Sequence, residues 1–514
     1  MQPTDIATFY DQVPYPRLAY HYTHPDRMAV IGRLFGMQPK SVAHCRVLEL
    51  GCAAGANLVP LAYTLPRSEF VGVDLSIRQI AEARAMAAAL NLDNVRLEQM
   101  DLCELNASYG EFDYVVAHGL YSWVPECVQS QVLDVCASVL APHGIVYVSY
   151  NAFPGCHLRR MLRGMAMYHV RSVEHPREIA PQVRGLIEFL AAMARPADSP
   201  YALVLHELKQ TVAQMSDSGL IHELLEADNH PVLFHDFIRA AEAAGLQYLT
   251  EATFADRADL GVKPDVLGRL REQHGEIGSE QYLDFFNGQS FRRTLLCRCE
   301  VTLDRSIRSE QVDDFLVASS AETVLANADL AGDTSVRFVT IHGVATSSHR
   351  PIFKIALVLL AAQYPLAIPF PELCQKIGLQ LGRTLRDDEI VALRGELLSR
   401  FMMEKEVIEL RLSQPLFTYQ PGPLPLASSV AMYQAAQGWP LVTLTHKMTG
   451  IPDSNMTHLL PLLDGEHNWE QLVDCLANAN VSEARASTSS SCEPHQEVLR
   501  KALAYFARHG LLVQ

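Results

Sequence analysis

Apolar and polar positions follow two different periods along the first third of the chain. Five short runs rich in β-branched or aromatic residues predict strands, and the stretches between them carry apolar residues at helical spacing. Such alternation favours a parallel sheet with helices on both faces, and the first, second and fourth runs are nearly all apolar, as strands buried on both sides require. The predicted strands span residues 46–50, 70–74, 95–100, 112–119 and 144–151.

The pattern changes after residue 157. Residues 158–230 contain no convincing strand and are interpreted as several helices. An amphipathic helix at 234–245 and apolar runs at 246–254 and 291–301 then resume the strand-and-helix pattern. We therefore expect the sheet to be completed only after a helical insertion, which begins at the carboxyl edge where doubly wound sheets bind ligands.

A chain of 514 residues is too long for one compact domain. The predicted fold class is α/β: a Rossmann-like sheet with a helical insertion, followed by mainly α, winged-helix-like C-terminal domains. The expected division is 1–157 for the core with an N-terminal arm, 158–230 for the insertion as a lid, dimerisation or regulatory region, 231–302 for completion of the sheet, 303–420 for a middle helical or winged-helix-like domain, and 421–514 for a C-terminal winged-helix-like domain.

Composition narrows the function classes. The formal charge of −16 and pI of about 5.7 argue against broad binding of nucleic acid. No apolar run approaches the roughly 18 residues of a spanning helix, so no membrane insertion is expected. Eleven scattered cysteines and the absence of a signal segment favour a cytoplasmic location. Cys297 and Cys299 lack a second pair nearby, so no metal site is predicted.

The first predicted strand leads into a turn that carries glycines. Gly51 and Gly55 let backbone approach a ligand that any Cβ would exclude. A dinucleotide site would need Gly-x-Gly-x-x-Gly, because pyrophosphate sits on the helix amides. Here Glu49 precedes the turn, and its charge would repel a diphosphate but suits the sulfonium and ammonium of S-adenosylmethionine. No Walker lysine is present, which disfavours a nucleoside triphosphate.

Two further strand ends supply complementary groups. Asp74 ends the second strand, where an acid can take both hydroxyls of a ribose. Asp101 follows the third strand and can accept from the adenine amine, while Leu102 packs on the ring. The three strand ends together predict an S-adenosylmethionine site. The predicted cofactor-binding residues are Tyr15, Glu49, Gly51, Cys52, Ala53, Gly55, Asn57, Asp74, Leu75, Asp101, Leu102 and His118.

The candidate catalytic residues follow the fourth and fifth strands. Methyl transfer is an in-line displacement, so the protein must align the acceptor with the sulfonium and exclude water. Tyr121 and Trp123 could hold an amine by cation–π contact, and ordinary packing at a helix start is the alternative. His118 could accept a proton or bind the cofactor, or be a structural histidine. Tyr150 is expected to face the same cleft, and Cys156 and His157 follow it.

Several other polar groups have only simple interpretations. Tyr10, Asp11 and Tyr15 form an N-terminal arm that either closes over the cofactor or merely docks. His222 with Glu223, and His230 with His235, are isolated on helical patterns and are interpreted as solvated helix faces or caps. The basic residues at 159, 160 and 163 are interpreted as a solvated helix face, with contact to an acidic substrate segment as the alternative.

With these residues in hand, the sequence resembles bacterial class I methyltransferases that carry a methyltransferase regulatory domain. The group includes the rickettsial-type protein-lysine methyltransferases. Ala53 departs from the pattern by replacing the middle glycine of the turn, and Cys156 stands where the family more often has tryptophan. The resemblance rests on residues 10–15, 23–25, 47–58, 70–76, 117–125 (AHGLYSWVP) and 149–155 (SYNAFPG), with weaker matches further on.

The resemblance implies N-methylation of lysine side chains in a protein substrate, with S-adenosyl-L-homocysteine (AdoHcy) as the product of the cofactor. It also places the regulatory domain near residues 231–302 and leaves a homodimer possible. A small-molecule methyltransferase, with the added domains serving dimerisation, is a second hypothesis. A third is an interaction protein that binds S-adenosylmethionine without turnover.

Overall fold

The computed structural model describes residues 15–513, except residues 174, 227, 255–261, 326, 405 and 484–494. Tyr10 and Asp11 of the predicted arm lie outside the described residues. A seven-stranded sheet forms the centre of the first 300 residues, in the order β3-β2-β1-β4-β5-β7-β6. Its strands are β1 (Arg46–Leu50), β2 (Glu69–Asp74), β3 (Val95–Gln99), β4 (Phe112–Ala117), β5 (Leu140–Asn151), β6 (Leu246–Glu251) and β7 (Phe291–Arg298).

Strands β1 to β5 pair in parallel, which requires crossover connections and places all five carboxyl ends at one edge. Helices cover both faces of this sheet. Strands β1 and β4 are almost fully buried, as their apolar runs predicted, whereas the edge strand β3 buries only Leu97. The helices of this part are α1 (Pro25–Leu34), α2 (Leu58–Thr64), α3 (Ile77–Ala89) and α4 (Glu126–Val139).

Four helices separate β5 from the rest of the sheet. They enclose a small apolar core of their own, which includes Leu162, Val183 and Leu220. After them α9 returns to the main sheet, and β7 pairs antiparallel with both β5 and β6. The prediction that the sheet is completed after a helical insertion is therefore confirmed. The helices are α5 (Cys156–His169), α6 (Pro176–Met193), α7 (Pro200–Gln214), α8 (Asp217–Leu225), α9 (Phe234–Ala243) and α10 (Pro264–Asn287).

Helices and short sheets make up the remainder of the chain, as the winged-helix-like prediction required. Strands β12-β8-β13 form one three-stranded sheet, β11-β10-β9 another, and β14 pairs with β15. The bounds are β8 (Leu316–Ala318), β9 (Glu322–Thr323), β10 (Val336–Val339), β11 (Ala345–Ser348), β12 (Ile368–Pro369), β13 (Glu409–Arg411), β14 (Leu441–Val442) and β15 (Met448–Thr449). The helices are α11 (Pro351–Gln363), α12 (Phe370–Leu381), α13 (Asp387–Met403), α14 (Ser429–Ala436), α15 (Ser454–Leu459), α16 (Trp469–Glu483) and α17 (His495–Arg508).

The C-terminal elements do not form a detached unit. One continuous apolar core runs from Met28 and Val47 under the main sheet through Phe353 to Val442. Hydrophobic burial of this kind stabilises the elements against one another and sets their relative position. Residues from the last hundred of the chain are therefore close to the carboxyl edge of the sheet. Among the helices that the structure describes, none has the length and apolar character to cross a membrane.

Candidate functional site

A pocket of about 240 Å³ lies over the carboxyl ends of β1 to β4, and we name it the edge pocket. Nine of the predicted site residues line it: Tyr15, Gly51, Ala53, Asp74, Leu75, Asp101, Leu102, His118 and Trp123. These positions are far apart in sequence and meet because parallel strands end at the same edge. The remaining lining residues are Val73, Ser76, Gln79, Met100, Gly119, Leu120, Val124, Pro125, Val128, His222, Glu223 and Glu226.

The charge of the edge pocket is one-sided. Four carboxyl groups line it, on Asp74, Asp101, Glu223 and Glu226, and no Lys or Arg is among its described lining residues. A low-dielectric cleft lined by one sign of charge attracts ligands of the opposite sign. The edge pocket therefore suits a cationic ligand and disfavours a nucleotide phosphate.

Asp74 shapes the turn between β1 and α2. One of its carboxylate oxygens accepts from the backbone N–H of Ala53, and the other accepts from that of Ser76, each at 2.9 Å. The turn itself needs left-handed backbone, with φ +70° at Gly51 and φ +48° at Ala53. Alanine tolerates this region at a cost of roughly 1–2 kcal/mol, which explains how Ala53 replaces a glycine without loss of the turn.

Cys52 and Gly55 belong to the turn but do not line the edge pocket. The Sγ of Cys52 lies under the turn against Gly72 of β2, and a Cβ added at Gly72 would meet it at 2.8 Å. A Cβ at Gly55 would meet Ala83 of α3 at 3.0 Å. Gly55 thus permits close packing of the turn on α3, which corrects the expectation that it admits a ligand.

Glu49 and Asn57 lie directly behind the turn rather than in the lining. Glu49 is 4% exposed, and its Oε1 accepts from Asn57 Nδ2 at 2.8 Å. No group among the described residues donates to Glu49 Oε2. Burial, with a smaller effect from the charge of Asp74, raises the pKa of the Glu49 carboxyl to about 8. A buried carboxyl with one unsatisfied oxygen favours a cation beside it.

His118 ends β4 at the wall of the edge pocket. Its Nδ1 lies 3.0 Å from the Tyr147 hydroxyl and 3.2 Å from Ser149 Oγ, and the Tyr20 ring lies over its imidazole at 3.7 Å between centroids. Burial and the nearby Arg293 guanidinium lower the pKa of His118 to about 3. The imidazole is therefore neutral at pH 7 and a poor base, which favours a positioning role over proton acceptance.

Tyr121 and Tyr150 lie in the core and not in the edge pocket, which corrects their expected place beside an acceptor. Their exposed fractions are 3% and 1%. Both pack on Phe237 of α9, at 5.1 and 4.0 Å between ring centroids, and the Tyr150 hydroxyl bonds Thr294. Side chains alternate along a strand, so Tyr150 points away from the face on which Tyr147 and Ser149 contact His118. Cys156 is also buried and donates to the carbonyl of Ser290.

The helical insertion contributes residues to the edge pocket that its sequence pattern did not indicate. His222 and Glu223 of α8 line the edge pocket, although a solvated face was expected. His222 is 3% exposed, bonds Glu226 at 2.8 Å, and lies 5.1 Å from the Tyr15 ring. Arg159 forms an ion pair with Glu223 at 3.5 Å, so it too contacts α8 instead of only solvent. Spacing within α8 carries no signal of this location, because α8 meets the sheet edge only through the packing of the whole insertion on the sheet.

Comparisons with known families agree with this geometry. Residues 47–144, from β1 into β5, match the model of a methyltransferase domain. Residues 216–298 match a predicted methyltransferase regulatory domain, and residues 424–511 match the PKMT C-terminal winged helix domain. Fold and site together define a class I methyltransferase that uses S-adenosylmethionine.

Similar proteins from Rickettsia extend the match to nearly the whole chain. An uncharacterised protein of Rickettsia prowazekii (strain Madrid E) is 30% identical over 508 residues, which cover 96% of this chain and 90% of that protein. The structure of PKMT2 from Rickettsia typhi in complex with AdoHcy matches with a TM-score of 0.87 and 27% identity, covering 98% of this chain and 100% of that one. This chain belongs to the bacterial class I S-adenosylmethionine-dependent methyltransferases that carry a methyltransferase regulatory domain, as its sequence motifs predicted.

Proposed function

We propose that this methyltransferase N-methylates lysine side chains of a protein substrate. The observation that carries the proposal is the correspondence with PKMT2 of Rickettsia typhi along nearly the full length, at 27% identity. The match of residues 424–511 to the PKMT C-terminal winged helix domain also supports it, because this family model carries the name of the same class of enzyme.

We also propose that the edge pocket holds the methyl donor. Asp74 would bind the ribose hydroxyls, Met100 and Leu102 would pack on the adenine, and Asp101 would accept from its amine. Glu49, with its unsatisfied buried oxygen, would face the ammonium of the methionyl end. When bound, S-adenosylmethionine supplies a methyl group activated by the positive sulfonium. The acidic lining fits this cation.

The rim of the edge pocket has the chemistry that a lysine acceptor requires. Tyr15 and Trp123 offer aromatic faces that attract an ammonium group, and Glu223 offers a carboxylate beside them. Only a neutral amine has the lone pair that attacks the methyl group. Burial raises the pKa of Glu223, which makes this carboxylate a better proton acceptor than an exposed one. His118, in contrast, is too weak a base for that step.

We propose that the chain is organised as residues 1–157, 158–230, 231–302, 303–420 and 421–514, the first three forming the methyltransferase unit. The separate apolar core of the four insertion helices supports a boundary near residue 157. The change from the main sheet to small sheets after β7 supports one near residue 302. In this division the insertion supplies Glu223 to the rim of the edge pocket, and a protein substrate would lie across the insertion.

Purified enzyme, incubated with methyl-labelled S-adenosylmethionine and a cell lysate, is expected to label protein. Acid hydrolysis of the labelled protein should release methylated lysine, which amino-acid analysis or mass spectrometry identifies. The Asp74→Ala variant is the matched control for donor-dependent labelling. Label found only in small molecules, or only on residues other than lysine, would overturn the proposal.

A second prediction concerns Glu49 and pH. A cation bound beside Glu49 requires the ionised carboxylate, whereas the free site holds this carboxyl with a pKa of about 8. Below pH 8 AdoHcy must therefore displace a proton, so its affinity should rise by up to about tenfold per pH unit from pH 6 towards pH 8. Isothermal titration calorimetry in buffers of different ionisation enthalpy should record the released proton.

Glu49→Gln is the control for that measurement. Its neutral amide cannot ionise, so the variant should bind AdoHcy more weakly at pH 8 and with little pH dependence between pH 6 and 8. A wild-type affinity that stays constant over this range, with no proton release, would contradict the assignment of Glu49 to the ammonium.

A further inference from the structure

A loop of the C-terminal winged-helix domain reaches the back of the edge pocket. This loop, residues 443–447, joins β14 to β15, and its His446 is 1% exposed. His446 Nε2 lies 2.9 Å from Asn57 Oδ1, across 389 residues of sequence. His446 also has φ +59°, a left-handed backbone that residues with a Cβ rarely adopt. Its contacts must therefore hold the imidazole in this place.

Neighbouring donors determine how both side chains are oriented. The backbone N–H of Tyr20 can only donate, and it lies 2.9 Å from Asn57 Oδ1, so this atom is the amide oxygen. Asn57 Nδ2 consequently faces Glu49 and donates to its Oε1 at 2.8 Å. An amide oxygen cannot donate, so His446 carries its proton on Nε2. The result is one directed chain of hydrogen bonds from His446 through Asn57 to Glu49.

The same domain also holds the N-terminal segment that covers His118. The Arg17 guanidinium lies 4.2 Å over the Trp439 ring, and the backbone N–H of Ala19 contacts Met448 Sδ at 3.2 Å. The ring of the next residue, Tyr20, packs at a tilt against His118 in the wall of the edge pocket. Two sets of contacts thus connect the C-terminal domain to the edge pocket, one through Asn57 and one through residues 17–20, and they meet where the Tyr20 N–H donates to Asn57.

We propose that the C-terminal winged-helix domain contributes to binding of the methyl donor, with His446 as a positioning residue. His446 holds the Asn57 amide, and Asn57 in turn holds Glu49 Oε1, so that the unsatisfied Oε2 is presented to the ammonium of S-adenosylmethionine. Without the imidazole, Asn57 Oδ1 keeps the Tyr20 N–H and the Thr23 hydroxyl but loses the donor that the C-terminal domain supplies, so the amide that orients Glu49 is held less firmly. The proposal rests on the assignment of the edge pocket to the donor, and it does not depend on lysine as the acceptor.

The test is AdoHcy binding by the full-length chain, measured by isothermal titration calorimetry. His446→Ala should raise the Kd about five- to tenfold, as expected for the loss of one buried hydrogen bond. His446→Gly should raise it equally while removing the strain of the left-handed backbone, so a general loss of folding cannot account for the effect. His458→Ala, an exposed histidine of the same domain, is the matched control and should leave the Kd unchanged.

A double-mutant cycle separates positioning from a merely structural role. If His446 acts through Glu49, then His446→Ala should cost little further affinity in a Glu49→Gln background. An unchanged Kd in His446→Ala, or losses that multiply independently in the double variant, overturns the proposal. Because binding of AdoHcy is measured without any acceptor, a failure of the lysine assignment leaves this result intact.

Discussion

Gly51→Val is expected to raise the Kd for AdoHcy at least about a hundredfold. Gly51 has φ +70° and lines the edge pocket. A Cβ there would lie 3.3 Å from Leu120 Cδ1, and the two further methyl groups of valine would occupy space beside the turn. Left-handed strain of roughly 1–2 kcal/mol is present with and without ligand, so it lowers the stability of the fold and leaves the affinity alone. The steric exclusion by itself is expected to cost at least about 2.8 kcal/mol of binding, which corresponds to a factor of one hundred in Kd.

Gly245→Val provides the matched control. Gly245 precedes β6 and has φ +85°, so the same backbone strain arises there, but nothing lies within 4 Å of its added Cβ. Both variants should lose thermal stability to a similar extent, and only Gly51→Val should lose AdoHcy binding. Binding within threefold of wild type in a folded Gly51→Val variant would refute the location of the donor at this turn.

Asp74→Ala is expected to weaken AdoHcy binding by about a hundredfold. One carboxylate oxygen of Asp74 accepts from the turn at Ala53 and the other from Ser76 before α3, and the same carboxylate is proposed to take the two ribose hydroxyls. A hydrogen bond to a charged group contributes about 1.5–3 kcal/mol, so the loss of two is at least about 3 kcal/mol. Asp74→Asn keeps one acceptor oxygen and should fall between wild type and Asp74→Ala.

A second ligand makes the Asp74 prediction specific. Methylthioadenosine keeps the ribose and adenine of AdoHcy but lacks its ammonium group. Asp74→Ala should therefore weaken both ligands by similar factors, whereas Glu49→Gln should weaken AdoHcy alone. If Asp74→Ala affected only AdoHcy, the carboxylate would have to be assigned to the methionyl end instead of the ribose.

Local pattern predicted β1, β2 and β4 because these strands are buried along most of their length. The observed β1 spans the predicted residues 46–50, and β2 extends the predicted run by one residue at its start. The late strands β6 and β7 were also predicted, since a helix that stops at Gly245 before an apolar run is a local signal. The donor turn was predictable for a similar reason, because Gly51 and Asp74 stand directly at strand ends.

The side-chain environments of the aromatic residues were not predictable from the same patterns. Tyr121 and Trp123 are two residues apart and equally aromatic, yet only Trp123 reaches the edge pocket. Tyr121 packs instead on Phe237, which arrives more than a hundred residues later with α9. Apolar character indicates burial but does not state which neighbour provides it.

By itself, the sequence determined the class of protein and its reagent. Strand ends adjoin their own turns along the chain, so Gly51, Asp74 and Asp101 could be assigned to one sheet edge from order alone. Only the tertiary structure decided that Glu223 lines the same pocket and that His446 reaches Asn57. These contacts join segments that are far apart in the chain, and they depend on the packing of whole elements through a shared apolar core. The spacing of apolar residues within one element does not predict such packing.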